Sequence, residues 1–104
     1  MNIVKILKME ESKMENIIKE LLEKYEINPA YSGYRFIRYI LSNYIYEEFY
    51  SLDQAYREMS EIYYVDWNII RRRVEITLKR SKLKDKTTKQ GICQLLLEKE
   101  QANY

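Results

Sequence analysis

The sequence contains no histidine. That absence removes Ser–His and Cys–His nucleophile pairs, His-ligated zinc and the usual general base near neutral pH. Cysteine is almost missing as well: Cys93 alone provides neither an internal disulfide nor a thiolate cluster for structural zinc. With two glycines and one proline, the chain has no Gly-rich phosphate loop and does not read as a disordered tail. No apolar run approaches the roughly 20 residues of a membrane span. The opening MNIVKILKMEE turns acidic too soon for a signal peptide. We therefore expect a cytoplasmic protein that is not an enzyme and has no catalytic residue, metal, other cofactor, membrane association or small-molecule substrate.

Carboxylates are plentiful, but Glu10, Glu11, Glu15, Glu20, Glu23, Glu47, Glu48, Glu98 and Glu100 all fall in helix-like stretches. Their expected place is a solvated face with i,i+4 partners. At 104 residues and 46% hydrophobic content, the chain is expected to form one domain over residues 1–104, an all-α, compact bundle of about five helices. The helices are predicted near 12–25, 33–49, 51–63, 66–81 and 89–101. Residues 1–9 fit a short strand or an early helical turn equally well. Ser12 with Glu15 reads as a capping box. Pro29 breaks the chain after the first helix, Ser32 caps the second, and Thr88 caps the last. Tyr34, Ile37, Ile40, Leu41, Tyr44 and Ile45 give the second helix a face broad enough for the centre of a bundle. Gly91 weakens the last helix, and Cys93 reads as a small core residue. The eleven tyrosines mostly sit at core spacing.

Residues 51–83 organise the rest. Ser51 and Gln54 form a capping box for a helix whose Leu52, Ala55, Tyr56, Met59 and Ile62 share a face. Asp66 caps a second helix that buries Ile70, Val74 and Leu78. The connection Tyr63–Tyr64–Val65 has the length of a helix-turn-helix link, so residues 51–81 are expected to form that motif. Met59, Tyr63, Val65 and Ile70 occupy its apolar positions and Ser60 its small one. Tyr64 stands where the turn usually carries glycine, because φ there is often positive. The outer face of the second helix is expected to present Trp67, Asn68, Arg71, Arg72, Glu75 and Lys79. Arg and Asn are the residue types that make bidentate contacts to guanine and adenine in the major groove.

Charge agrees with that reading. Net charge is only +2, yet residues 67–90 hold nine Lys/Arg against two Asp/Glu, while residues 1–66 hold eight against twelve. A basic segment coinciding with the second helix is an electrostatic footprint for a polyanion. The expected base-contacting residues are Asn68, Arg71, Arg72 and Glu75. The expected phosphate-contacting residues are Arg35, Arg38, Lys79, Arg80, Lys82 and Lys84, with double-stranded DNA as the partner.

From Ala30-Tyr31-Ser32-Gly33-Tyr34-Arg35-Phe36-Ile37-Arg38 onward the sequence resembles a known family. This is the C-terminal DNA-binding effector domain of the stage-zero sporulation master regulator of endospore-forming bacteria. The Gly33-Tyr34 pair, the spacing of Ile37, Ile40 and Leu41, Ala55-Tyr56, Met59-Ser60, and Tyr63 where the family has Phe all carry the likeness. Ile70, Arg72, Val74, Thr77 and Leu78 continue it, so that it spans about residues 17–83 and, more weakly, the last helix. The resemblance implies a recognition helix in the major groove, best matched at Asn68 and Arg72. It also implies head-to-tail pairing on DNA and contact with the sigma subunit of RNA polymerase. Three positions depart: Ile69 replaces a polar groove-facing residue, Arg71 stands for Glu, and Glu75 stands for Arg. The family's receiver domain has no counterpart in these 104 residues. The expected function is a stand-alone, sequence-specific transcriptional regulator. The alternative is a protein-interaction module of the same fold that acts on a full-length regulator or on polymerase without reading bases.

Overall fold

A computed structural model describes residues 3–49 and 51–103, with side chains from residue 12 onward. It contains five α-helices: α1 (Ile3–Lys24), α2 (Tyr34–Asn43), α3 (Leu52–Tyr63), α4 (Trp67–Lys79) and α5 (Thr88–Ala102). A single 3-10 turn, Tyr46–Glu48, lies between α2 and α3, and the described residues include no strand. No described helix is long and apolar enough to cross a membrane.

The first helix starts earlier than predicted. Its backbone is helical from Ile3, so Ser12 lies exposed within α1 and is not its cap. Residues 3–11 contain neither Gly nor Pro to break a helix, and a serine marks a boundary only where something else stops the chain. The ambiguous stretch 1–9 is thus helical from residue 3, and Met1 and Asn2 lie outside the described residues. So do the side chains of Glu10 and Glu11. At the other end, Glu26 turns left-handed at φ 56°. Its N–H reaches the Glu23 carbonyl at 3.0 Å, and that of Ile27 reaches Leu22 at 2.9 Å. This is a Schellman closure, sealed by the buried pair Leu22 and Ile27.

The central position expected of α2 is observed, since Phe36, Ile37, Ile40 and Leu41 are all fully buried. Its length differs. Gly33 occupies the N-cap with no side-chain bond, so Ser32 does not cap it, and the helix stops at Asn43 instead of continuing to Phe49. Tyr44 and Ile45 are extended, and Ile45 is exposed. The cause is tertiary. Lys99 of α5, buried to 4% exposure, donates through Nζ to the carbonyls of Leu41 (2.8 Å) and Tyr44 (2.7 Å). A cation at a helix C-terminus satisfies carbonyls that lack an intrahelical donor. The chain then turns so that Phe49 packs edge-on against Tyr44, centroids 5.6 Å apart.

Helix α5 begins one residue before the expected start. Thr87 is its N-cap, and a reciprocal capping box with Gln90 is complete (Gln90 N to Thr87 Oγ1 3.1 Å, Thr87 N to Gln90 Oε1 3.0 Å). Glu98 and Glu100 are not on a solvated face. Glu98 accepts from Lys24 at 2.7 Å and from Tyr25, while Glu100 accepts from the Tyr46 amide at 2.7 Å. Ile92, Leu95 and Leu96 are fully buried, Leu97 is exposed, and Cys93 is half-buried against the core.

Candidate nucleic-acid interface

Helices α3 and α4 are bounded almost as predicted. Ser51 Oγ accepts from Gln54 N at 3.4 Å and opens α3, but the Gln54 side chain makes no return bond, so the expected capping box is only half formed. Asp66 Oδ1 accepts from Asn68 N at 2.8 Å and opens α4. Between them Tyr64 adopts the left-handed conformation, φ 55° and ψ 40°, that the turn demands. Its side chain is 93% exposed, so no packing compensates for a backbone geometry that favours glycine. Met59 and Ile70 are fully buried, with Tyr63 and Val65 packed against the core. Ile62, expected on the buried face of α3, is 49% exposed. Tyr63 takes its place, meeting Phe36 edge-on at 5.4 Å and Tyr39 at 6.0 Å.

The sides of α4 have distinct neighbours. Ile70, Val74, Thr77 and Leu78 face the core. With about 100° between successive residues, Arg72 stands opposite that stripe and is exposed. Exposed Asn68 and Lys79 lie to one side of it, and exposed Ile69 and Ile76 to the other.

Beyond Asn68 the helix turns toward Tyr56 of α3. Here Arg71 Nη1 pairs with Glu75 Oε1 at 3.6 Å. Tyr56 is fully buried, and its hydroxyl and the Arg71 Nε are both enclosed without a hydrogen-bond partner. Burial first, then the nearby carboxylates of Glu75 and Asp53, push the Tyr56 phenol far above its ordinary value. Arg71 and Glu75 are therefore partly engaged with each other beside α3. Trp67, expected on the outer face, is half-buried against the core with the Arg57 guanidinium 5.4 Å from its ring.

The opposite flank of α4 is set by Gly33. A Cβ there would lie 2.3 Å from both the Arg73 carbonyl oxygen and Thr77 Oγ1. Only a glycine lets the start of α2 approach α4 this closely. Thr77 is buried and donates back to the Arg73 carbonyl at 2.7 Å.

The six cations expected at phosphates fall into two groups. Arg35 lies over the rings of Phe36 (4.7 Å) and Tyr63 (5.0 Å), and with Arg38, Tyr39, Ser42 and Asn43 it lines a recess of about 270 Å³. Stacking fixes the guanidinium beside the turn that leads into α4. At the other end of α4, Lys79, Arg80, Ser81, Lys82, Lys84 and Glu26 line a recess of about 620 Å³. Arg80 lies 5.4 Å from the Tyr31 ring and donates to its hydroxyl at 3.3 Å, and Lys82 pairs with Glu26 at 3.6 Å. The loop carrying these cations is held by Lys82 N to Tyr25 O (2.9 Å) and by buried Ser81, whose Oγ accepts from Leu83 N at 3.0 Å. The two groups lie toward opposite ends of a 13-residue helix about 20 Å long.

Sequence reasoning placed Asn68 and Arg72 on the outer face of α4 but did not include Ile76 there. The signal was available: Ile76 falls outside the Ile70–Val74–Leu78 stripe. The structural roles of Lys99 and Tyr56 depend on contacts between helices and leave no local sequence mark. Among the described residues no cluster of three potential metal ligands forms. No family model, no curated protein and no solved structure matches this chain.

Proposed function

We propose that the chain is a sequence-specific DNA-binding transcriptional regulator whose α4 enters the major groove. The observation that carries this reading is the exposed face of α4, with Arg72 at its centre and Asn68 beside it, between two groups of basic residues. Arg and Asn supply donors for guanine and adenine edges, and cations toward both ends of the helix match a groove walled by phosphates. The resemblance to the sporulation regulator's effector domain supports the same use of α4. It extends the proposal to sporulation genes, head-to-tail pairing on DNA, and contact with the sigma subunit.

Selection from random duplexes followed by mobility-shift assays at several salt concentrations tests the reading. With about five phosphate contacts, the slope of log K against log salt should be near −4 to −5. Arg72→Ala should cost about 1–3 kcal/mol of discrimination at one operator position without changing thermal stability. Binding without sequence preference, or a constant indifferent to salt, would refute it. The second reading is a protein-interaction module, favoured by the exposed apolar residues Ile62 and Tyr64 around the turn. In that case Arg72→Ala leaves DNA binding unchanged.

A further inference from the structure

Two isoleucines on the outer face of α4 are not packed against the core. Ile69 is 43% exposed and Ile76 is 44% exposed. Seven residues apart, they share one stripe two turns long, immediately beside Arg72. Single exposed apolar residues are ordinary on protein surfaces. These two lie within the most basic segment of the chain, residues 67–90, and are bordered around the helix by Arg72 and Arg80.

An occupant of this stripe must therefore combine negative charge with small apolar contacts. A protein seated here would have to bring carboxylates to pair these arginines or bear the cost of desolvating them, beside an apolar contact only two side chains wide. The major groove offers both features at once: phosphates along its walls, and on its floor the 5-methyl group of each thymine. We propose that Ile69 is a specificity-determining residue that packs against a thymine methyl, next to the base contacted by Arg72. Ile69 lies in the first turn of α4, the part of a recognition helix that reaches base edges, and Ile76 follows along the same groove wall. The inference rests on the proposed DNA-binding function and adds a base identity to it. It also gives a physical reason for preferring DNA to RNA, whose uracil carries no methyl.

The test replaces each thymine of the selected duplex, one at a time, with deoxyuridine. This removes the methyl and leaves the pairing edge and O4 intact. The wild-type chain should lose about fourfold in affinity at one position at least, the worth of one buried methyl. Ile69→Ala should bind the unmodified duplex about fourfold more weakly and be indifferent to deoxyuridine at that same position. Ile69→Val should retain the sensitivity. Because Ile69 is exposed, the variants should melt with the wild type. Retained sequence preference with every deoxyuridine duplex bound as tightly as its parent would overturn the methyl contact and leave the DNA reading standing. Absence of any sequence preference would overturn both.

Discussion

A Cβ added to Gly33 would stand 2.3 Å from two atoms of α4, one of them backbone. A Cβ added to Gly91 would find its nearest neighbours, Leu78 and Leu83, at 3.7–3.8 Å, which is ordinary contact. The same methyl group should therefore act oppositely at the two sites. Gly33→Ala must push α2 away from α4 and should cost about 1–3 kcal/mol. Gly91→Ala removes a flexible residue from a helix and should add up to about 1 kcal/mol. Denaturant unfolding of both variants decides this, and a destabilised Gly91→Ala would contradict the open contact described. Tyr64 is a third case. Its left-handed backbone costs a non-glycine residue about 1–2 kcal/mol, and at 93% exposure its side chain packs on nothing. Tyr64→Gly should raise stability by about 0.5–1 kcal/mol, once the extra entropy of an unfolded glycine is subtracted. An unchanged or lowered denaturant midpoint would mean the ring makes a compensating contact. The sequence made Tyr64 conspicuous because the turn normally takes glycine, whereas the tight approach at Gly33 becomes visible only with Arg73 and Thr77 in place.

Element boundaries were legible where a local signal sets them. Ser51 and Asp66 cap α3 and α4 as their side chains dictate. The apolar period gave Ile70, Val74 and Leu78 of α4 and Ile37, Ile40 and Leu41 of α2, while it missed the buried Phe36 and included the exposed Ile45. Boundaries set by another element were not. Helix α2 ends where Lys99 takes its last carbonyls, a contact across 58 residues that periodicity does not encode. The outer face of α4 was partly legible for the same reason: Arg71 and Glu75 look groove-facing until Tyr56 of α3 is placed beside them. Lys99→Ala should strip two carbonyls of a buried donor and cost about 1–3 kcal/mol. Amide exchange should report the loss at the last turn of α2 before it reports it in α3. Uniform loss across all helices would mean that Lys99 supports the whole core and not this terminus in particular.

For the molecule as a whole, the absence of histidine removes the side chain most able to make stability respond to pH near neutrality. The strong response should come in alkali, from tyrosine. Burial first, and then hydrogen bonding or neighbouring carboxylates, hold the phenols of Tyr25, Tyr39, Tyr44 and Tyr56 above their ordinary value, with Tyr39 pushed up to about 12. Tyr39 and Tyr44 both donate to the Glu58 carboxylate, and Tyr25 donates to Glu98, so ionisation would set like charges together. Below the ordinary tyrosine value near 10, these phenols stay protonated whether the chain is folded or not, and their contribution is fully present. As pH rises beyond about 10, the unfolded chain releases these protons while the folded chain holds them, so stability falls through the window up to about 12 and above. Lys99 works in the other direction. Burial lowers its ammonium, so its unfavourable contribution is relieved as pH climbs toward the ordinary lysine value. One lysine against four phenols leaves the tyrosines to set the sign. Urea midpoints measured from pH 7 to pH 12 should hold level and then drop above about pH 10, and tyrosinate absorbance from the buried phenols should appear together with the loss of helical signal. Complete tyrosinate formation in a chain that keeps its helices would contradict the buried placement of Tyr56.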